Sequence, residues 1–277
     1  MPGAAGLIST RRLSFSYRGA QQPALREIDL EIENHAIVAV LGANGSGKST
    51  LARLFGGMLL PTSGSVVVDG VDTRSIPAGW AMHQHIGMVF QNPQNQIVST
   101  VVENEVAFGL ENLRLASMTM QQRVDEVLHL VGMAHLRLAN PHELSAGEQQ
   151  RLAIASALAP SPHHLLLDEA TSLLDDQSRL DLMVSVERLA HALGLSVIAI
   201  THRMDEVPIA DRVIVLSFGS IVFDGAPSAL FAQAERLQEW NLTLPPLQDL
   251  ALRLRQAGMQ VPRSVTSSEE LAHALWP

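Results

Sequence analysis

Gly42-Ala-Asn-Gly-Ser-Gly-Lys-Ser49 decides how this sequence is read, together with what stands on either side of it. Before it, Ala36-Ile-Val-Ala-Val-Leu41 is continuous and apolar, as a strand covered on both faces would be. After it, Leu51, Leu54, Phe55 and Met58 recur at helical spacing. Strand, glycine-rich loop and helix meet the pattern G-x-x-x-x-G-K-[ST] in the context that gives it meaning. Gly45 and Gly47 let the backbone curl, so that successive N–H groups and a helix N-terminus face a polyphosphate. Lys48 then supplies a compact positive charge to the β- and γ-phosphates, and the Ser49 hydroxyl suits a Mg2+ position. The candidate nucleotide-binding loop is Gly42, Ala43, Asn44, Gly45, Ser46, Gly47, Lys48, Ser49 and Thr50.

A second half-site follows at Leu165-Leu-Leu-Asp168-Glu169. The apolar strand delivers Asp168 to its C-terminal end, where open parallel sheets bind ligands. Asp168 suits Mg2+, and Glu169, one residue on, is placed to polarise an attacking water as general base. Phosphate loop and acidic pair together describe a P-loop ATPase using ATP and Mg2+.

Around these motifs, strand patterns are predicted at Leu7–Phe15, Arg26–Glu33, Gly64–Gly70 and Ile86–Phe90, and again at Val197–Ile200, Val213–Leu216 and Ile221–Phe223. The character turns helical from about Asn92 to Pro160, and Leu182, Val186, Leu189 and Leu193 mark a later helix. The order implies an α/β protein with a mostly parallel sheet. After a break at Trp240–Pro246 come two short helical patterns, the second opened by a Thr266/Glu269 capping box. The predicted division is an ATPase domain over 1–239, with a helical insert at about 92–160, and a helical extension over 240–277. A tail that short lacks a core of its own and must pack on the main domain or another subunit.

Composition narrows the classes. Of 19 basic residues, 18 are Arg and one is Lys, namely Lys48. A protein kinase needs its Lys on a strand in a Val-Ala-Ile-Lys setting, and a guanine-reading Asn-Lys-x-Asp element needs a second Lys. A net charge of −9 disfavours nucleic acid as a partner. Cys is absent, so disulfides, thiolate zinc sites and Cys nucleophiles are excluded. No signal-peptide pattern or membrane-spanning run is visible, which suggests a cytoplasmic setting, although the mean hydropathy of +0.15 is high for such a chain.

Leu144-Ser-Ala-Gly-Glu148-Gln-Gln-Arg decides the subclass. Physically, Ser145 and Glu148 form a capping box opening a helix. At this point the sequence resembles the ATP-binding subunits of ABC transporters, whose signature is Leu-Ser-Gly-Gly-Gln. The resemblance implies a RecA-like core with an antiparallel β subdomain and a helical insert. It also implies that Ser145 and Gly147 meet the γ-phosphate of ATP held by an opposite subunit. Ala146 and Glu148 depart from the signature, and since a carboxylate facing ATP would be repelled, Glu148 is expected to fold back onto its cap.

The same resemblance assigns Gln91 to Mg2+ and lytic-water sensing, Asp175 to the dimer seam, His202 to the γ-phosphate and Tyr17, the single Tyr, to stacking on adenine. Catalytic roles fall on Glu169, His202, Gln91 and Lys48, and Mg2+ ligation on Ser49, Gln91 and Asp168. Phe90-Gln-Asn-Pro-Gln-Asn-Gln-Ile97, Val102–Asn112 and the tail resemble energy-coupling factor (ECF) transporter ATPases. That resemblance implies a homo- or heterodimer of ATPases on the cytoplasmic face of the membrane. A transmembrane coupling protein and a substrate-capturing membrane subunit complete the complex, which takes up vitamins or transition-metal ions. The alternatives are a non-ECF ABC transporter ATPase and an ABC ATPase acting on nucleic acid. His83-x-His85 and His163-His164 lack a third ligand at helical metal spacing and read as surface or satisfied histidines; His164 is expected to loosen the start of its strand.

Overall fold

The computed structural model describes residues 6–75, 82–111, 117–237, 239–262, 265 and 268–276. An antiparallel sheet of four strands is formed by β1 (Ile8–Phe15), β2 (Leu25–Ile32), β4 (Ser63–Val68) and β5 (Val71–Asp72), in the order β2-β1-β4-β5. The second sheet has six strands: β3 (Ile37–Leu41), β6 (Ile86–Val89), β7 (His164–Asp168), β8 (Ser196–Ile200), β9 (Arg212–Ser217) and β10 (Ser220–Gly225). Its order is β10-β9-β3-β8-β7-β6, parallel throughout except for the antiparallel edge strand β10.

The continuous apolar strands are buried on both faces, and successive residues serve two separate cores. Ile37, Ala39 and Leu41 point into one core with Leu165, Leu167, Val213 and Val215. Val38 and Val40 point into the other with Leu166, Ile198, Ile200 and Ile214. Helix α1 (Lys48–Phe55) fills the second core through Leu51, Leu54 and Phe55, alongside Ile28, Leu30 and Ile32 of β2. The first core is closed by the helical insert, α2 (Val102–Glu111), α3 (Ser117–Leu130) and α4 (Ala146–Leu158), and by α5 (Asp176–Leu193). Of the spacing predicted for α5, Leu182, Val186 and Leu189 are buried, while Leu193 in the last turn is partly exposed. Met120 packs against this core and Met118 is exposed.

The chain continues through α6 (Pro227–Phe231) and α7 (Ala234–Leu237) before α8 (Pro246–Gln256) and α9 (Ser268–Leu275). Trp240, Leu242 and Leu244 pack into the large core, with the Arg236 guanidinium 5.0 Å from the centre of the Trp240 ring. Beyond them, Ala251, Val261, Val265 and Leu271 form a small apolar cluster of their own, rather than joining either main core as a tail of this length was expected to do. The Thr266 capping box lies outside the described residues.

The β4–β5 hairpin turns on Asp69-Gly70, both at positive φ (51° and 80°), the geometry a two-residue primed turn requires. Asp69 ties this hairpin to the far end of the parallel sheet, accepting hydrogen bonds from His85 and His163 Nδ1 (2.8 Å each) and His164 Nε2 (3.2 Å). His164 therefore does not loosen the start of β7. It is fully buried there and held by a carboxylate. Burial works to raise the Asp69 carboxyl, but hydrogen bonds from His164, His163, His85 and the Gly6 N–H outweigh it and hold the group well below the usual range.

Candidate nucleotide site at the strand ends

Four parallel strands end on one edge of the sheet, and each delivers a polar residue there. β3 runs into the loop 42–47, β6 into Gln91, β7 into Asp168 and Glu169, and β8 into His202. The loop holds its shape through its glycines: Gly47 caps α1 at φ 107°, and a Cβ there would lie 2.6 Å from the Ala24 carbonyl oxygen. Gly47→Ala is expected to lower the unfolding midpoint by several degrees, because left-handed strain of about 1–2 kcal/mol adds to that overlap. A thermal melt of the variant checks it. As a glycine cap, Gly47 offers no side chain to the first N–H groups of α1, which stay available to an anion.

Lys48 is buried and folds back on the loop, donating to the carbonyls of Gly42 (2.7 Å) and Ala43 (3.1 Å). Burial pushes its ammonium below the usual range, and Glu169 and Asp168 act in the opposite direction. Ser49 Oγ donates to Asp168 Oδ1 at 3.0 Å, so the two halves of the site already touch. Burial raises the Asp168 carboxyl, against the pull of that hydrogen bond. A hydroxyl, a carboxylate and the amide of Gln91 are the hard oxygen donors that Mg2+ prefers, so the set fits that ion.

A cleft of about 470 Å³ gathers Ser49, Gln91, Asp168 and Glu169 with Arg53 and Phe90. Glu169 sits at positive φ (53°), its N–H bonded to the Ile200 carbonyl, and its Oε1 lies 3.6 Å from His202 Nδ1. A non-glycine residue in this conformation is strained, and strain of this kind collects where a side chain must be aimed. Tyr17 is 42% exposed, its hydroxyl 3.1 Å from Thr50 Oγ1 and its ring held edge-on by Phe15. One aromatic face is thus presented beside the phosphate loop.

Ser145 and Gly147 do not line this cleft. They open α4, where Ser145 and Glu148 form the capping box: Glu148 Oε2 accepts from the Ser145 N–H (2.8 Å) and hydroxyl (2.7 Å). Glu148 therefore folds back as expected, and Ser145's hydrogen bonds hold its carboxyl below the usual range. Asp175 caps α5, accepting from the Ser178 N–H (3.0 Å) and hydroxyl (2.6 Å). Ser145, Asp175 and Tyr17 are exposed, whereas Lys48 and Asp168 are buried. The residues divide into those that enclose phosphate within one chain and those that await a second surface.

Two contributors escaped the sequence reading. Arg53, five residues after Lys48 on α1, brings a fixed cation to the cleft. Gln96 accepts from the Phe90 N–H (2.9 Å) and donates to the Met88 carbonyl (3.1 Å), fixing the strand end that carries Gln91. The helical spacing of Arg53 from Ser49 was a usable signal. Nothing marked Gln96 apart from the other amides of its run.

Residues 25–172 match the ABC transporter family model. The chain belongs to that family. An ECF transporter ATP-binding protein, EcfA1, of Symbiobacterium thermophilum is 48% identical over 91% of this chain and 88% of its own. EcfA1 of Halalkalibacterium halodurans is 42% identical over 95% of both chains. Among solved structures, CbiO1 of Clostridium perfringens, described as part of the ABC transporter complex CbiONQ, superposes with a TM-score of 0.77. It shares 35% identity and covers 89% of this chain and 98% of its own. The cassette MJ0796, solved as a dimer in a post-hydrolysis state with ADP and Pi, gives a TM-score of 0.71 at 27% identity over 79% of this chain and 98% of its own. Fold and membership thus agree with the resemblance carried by the signature helix.

Proposed function

We propose that this family member is the ATP-hydrolysing subunit of an ECF-type importer, working as one half of a nucleotide-sandwich dimer. The observation that carries this is the division of the site: a complete phosphate loop and acidic pair in one chain, with the signature Ser145 and Gly147 exposed away from them. ATP lies with its phosphates on the 42–50 loop and Lys48, and its adenine against Tyr17. Ser49, Asp168 and Gln91 hold Mg2+, which neutralises charge on the phosphates. Glu169 accepts a proton from water as the water oxygen bonds to the γ-phosphorus. The bond to the leaving ADP oxygen breaks, and His202 stabilises the transferring group. Ser145, Gly147 and Asp175 complete the site on the paired subunit, so closure and hydrolysis are tied together.

The reading extends to the membrane. A cleft of about 740 Å³ separates the core from the helical insert, lined by Met88, Phe90, Ile97, Phe108, Gly109 and Ala153. Phe108 beside it and Val98 nearby are exposed. This cleft receives a helix of a transmembrane coupling protein, next to the Gln91 end of β6, and a substrate-capturing subunit selects a vitamin or transition-metal ion. The chain sits peripherally on the cytoplasmic face; among the described residues, no helix is long and apolar enough to cross a membrane. Isolation of the chain from detergent-solubilised membranes tests this. Small integral membrane proteins in fixed proportion support the reading, and recovery with nucleic acid instead contradicts it.

The ATPase body covers 1–239 and the extension 240–277, with Trp240, Leu242 and Leu244 carrying the body's core slightly past that division. The extension pairs the two ATPases. Leu250, Met259 and Trp276 are exposed on it, as a face that meets a second subunit would be. Deleting residues after Pro245 is expected to weaken pairing at least tenfold and leave nucleotide affinity within about twofold. Sedimentation and nucleotide titration of the truncated chain check both.

A further inference from the structure

Three histidines and one carboxylate, from three separate places in the chain, converge at the end of the parallel sheet opposite the nucleotide cleft. Asp69 stands on the β4–β5 turn, His85 immediately before β6, and His163 and His164 at the start of β7. The two sheet segments are registered by the backbone, since the N–H groups of both His163 and His164 lie 3.1 Å from the His85 carbonyl oxygen. Asp69 Oδ2, His85 Nδ1 and His163 Nδ1 all lie within 4.8 Å of one another.

The two oxygens of Asp69 are used differently. Oδ1 accepts from the Gly6 N–H and from His164 Nε2. The His164 ring is completely buried, and its Nδ1 has no partner among the described residues. A charged ring would leave an N–H buried there without an acceptor, so His164 is neutral and donates through Nε2. It holds Asp69 as a fixed carboxylate whose other oxygen, Oδ2, faces His85 and His163. An ionised carboxylate only accepts, so both Nδ1 atoms carry a proton at present.

We propose that Asp69, His85 and His163 form a binding site for a divalent transition-metal ion of the Zn2+ class, with Gly6 and His164 orienting the carboxylate. Two imidazoles and a carboxylate are a donor set such ions take, a water completing four-coordination. The geometry is close. Tetrahedral Zn2+ with bonds of about 2.0–2.1 Å separates its ligand atoms by roughly 3.3 Å. The two contacts of 2.8 Å at Oδ2 must therefore open by about half an ångström. The His163 side chain is 51% exposed and sits at a strand end, where that adjustment is cheap. On binding, each ring keeps one proton, which moves from Nδ1 to Nε2, and Nδ1 turns its lone pair to the ion. The ion would clamp the antiparallel sheet to the N-terminal ends of β6 and β7. The site is independent of the nucleotide reading and extends beyond it.

The test uses the full chain without an affinity tag and without nucleotide, with Mg2+ in excess to mask the ATP site, titrated with Zn2+ and then Co2+. The expected result is one ion per chain, the absorption of four-coordinate Co2+, and a higher unfolding midpoint with the ion bound. His163→Ala and His85→Ala are each expected to weaken binding roughly 100-fold and abolish the rise in midpoint. Both variants keep ATP hydrolysis within about twofold of the parent, since the nucleotide cleft lies at the opposite strand ends. No uptake at about 100 µM Zn2+, a concentration that fills even a weak site, overturns the proposal and leaves a hydrogen-bonded staple. So does equal uptake by parent and variants.

Discussion

Lys48→Ala is expected to bind ATP at least 100-fold more weakly than the parent chain. In the free loop the ammonium is already desolvated and held by the Gly42 and Ala43 carbonyls. Triphosphate replaces those neutral acceptors with anionic ones, and a charge-assisted hydrogen bond of this kind contributes about 1.5–3 kcal/mol. Loss of the long-range attraction in a partly buried site adds to that, which brings the total to two orders of magnitude or more. Lys48→Arg is not a rescue, because a planar fork does not fit where a compact ammonium sits on two carbonyls. Calorimetric titration with ATP reads the effect. Parental affinity in Lys48→Ala would remove the phosphate-loop assignment.

Glu169→Gln is expected to keep ATP affinity and lose hydrolysis by a factor of about 100 to 10,000, the range spanned by a general base. The amide preserves the shape of the residue and its N–H bond to the Ile200 carbonyl, so the strained backbone at φ 53° is undisturbed. What is lost is the acceptor for the water proton. Phosphate release under saturating ATP measures it, and a parental rate would show that Glu169 is not the base.

The parallel core was legible because burial on both faces leaves an unmistakable mark. Ile37–Leu41, His164–Asp168 and Ser196–Ile200 are strands in which every residue is buried, and the polar residue that follows each marks the ligand edge. The β4–β5 hairpin was only half visible, since a strand of two residues has no periodicity to read. The short 3₁₀ segment Met204–Ile209 was hidden for a related reason: Pro208 within it argues against any helix.

The nucleotide cleft was legible in its parts, because the glycine spacing and the acidic pair are local patterns. Arg53 and Gln96 belong to it through packing that no local pattern states. The histidine cluster was not legible at all. His163 and Asp69 are separated by 94 positions, and ligand spacing along one helix is the wrong template for groups assembled from three strand ends. Trp240 was read as the start of a break because two prolines follow it, yet its ring packs against Phe223 in the main core.

The division of the site between buried phosphate ligands and an exposed signature helix makes ATP-driven pairing the central claim. Sedimentation of Glu169→Gln with and without ATP and Mg2+ tests it most directly. The account predicts that ATP doubles the sedimenting mass, that ADP does not, and that Lys48→Ala shows no such change. A chain that binds ATP with full affinity and keeps its mass would contradict it.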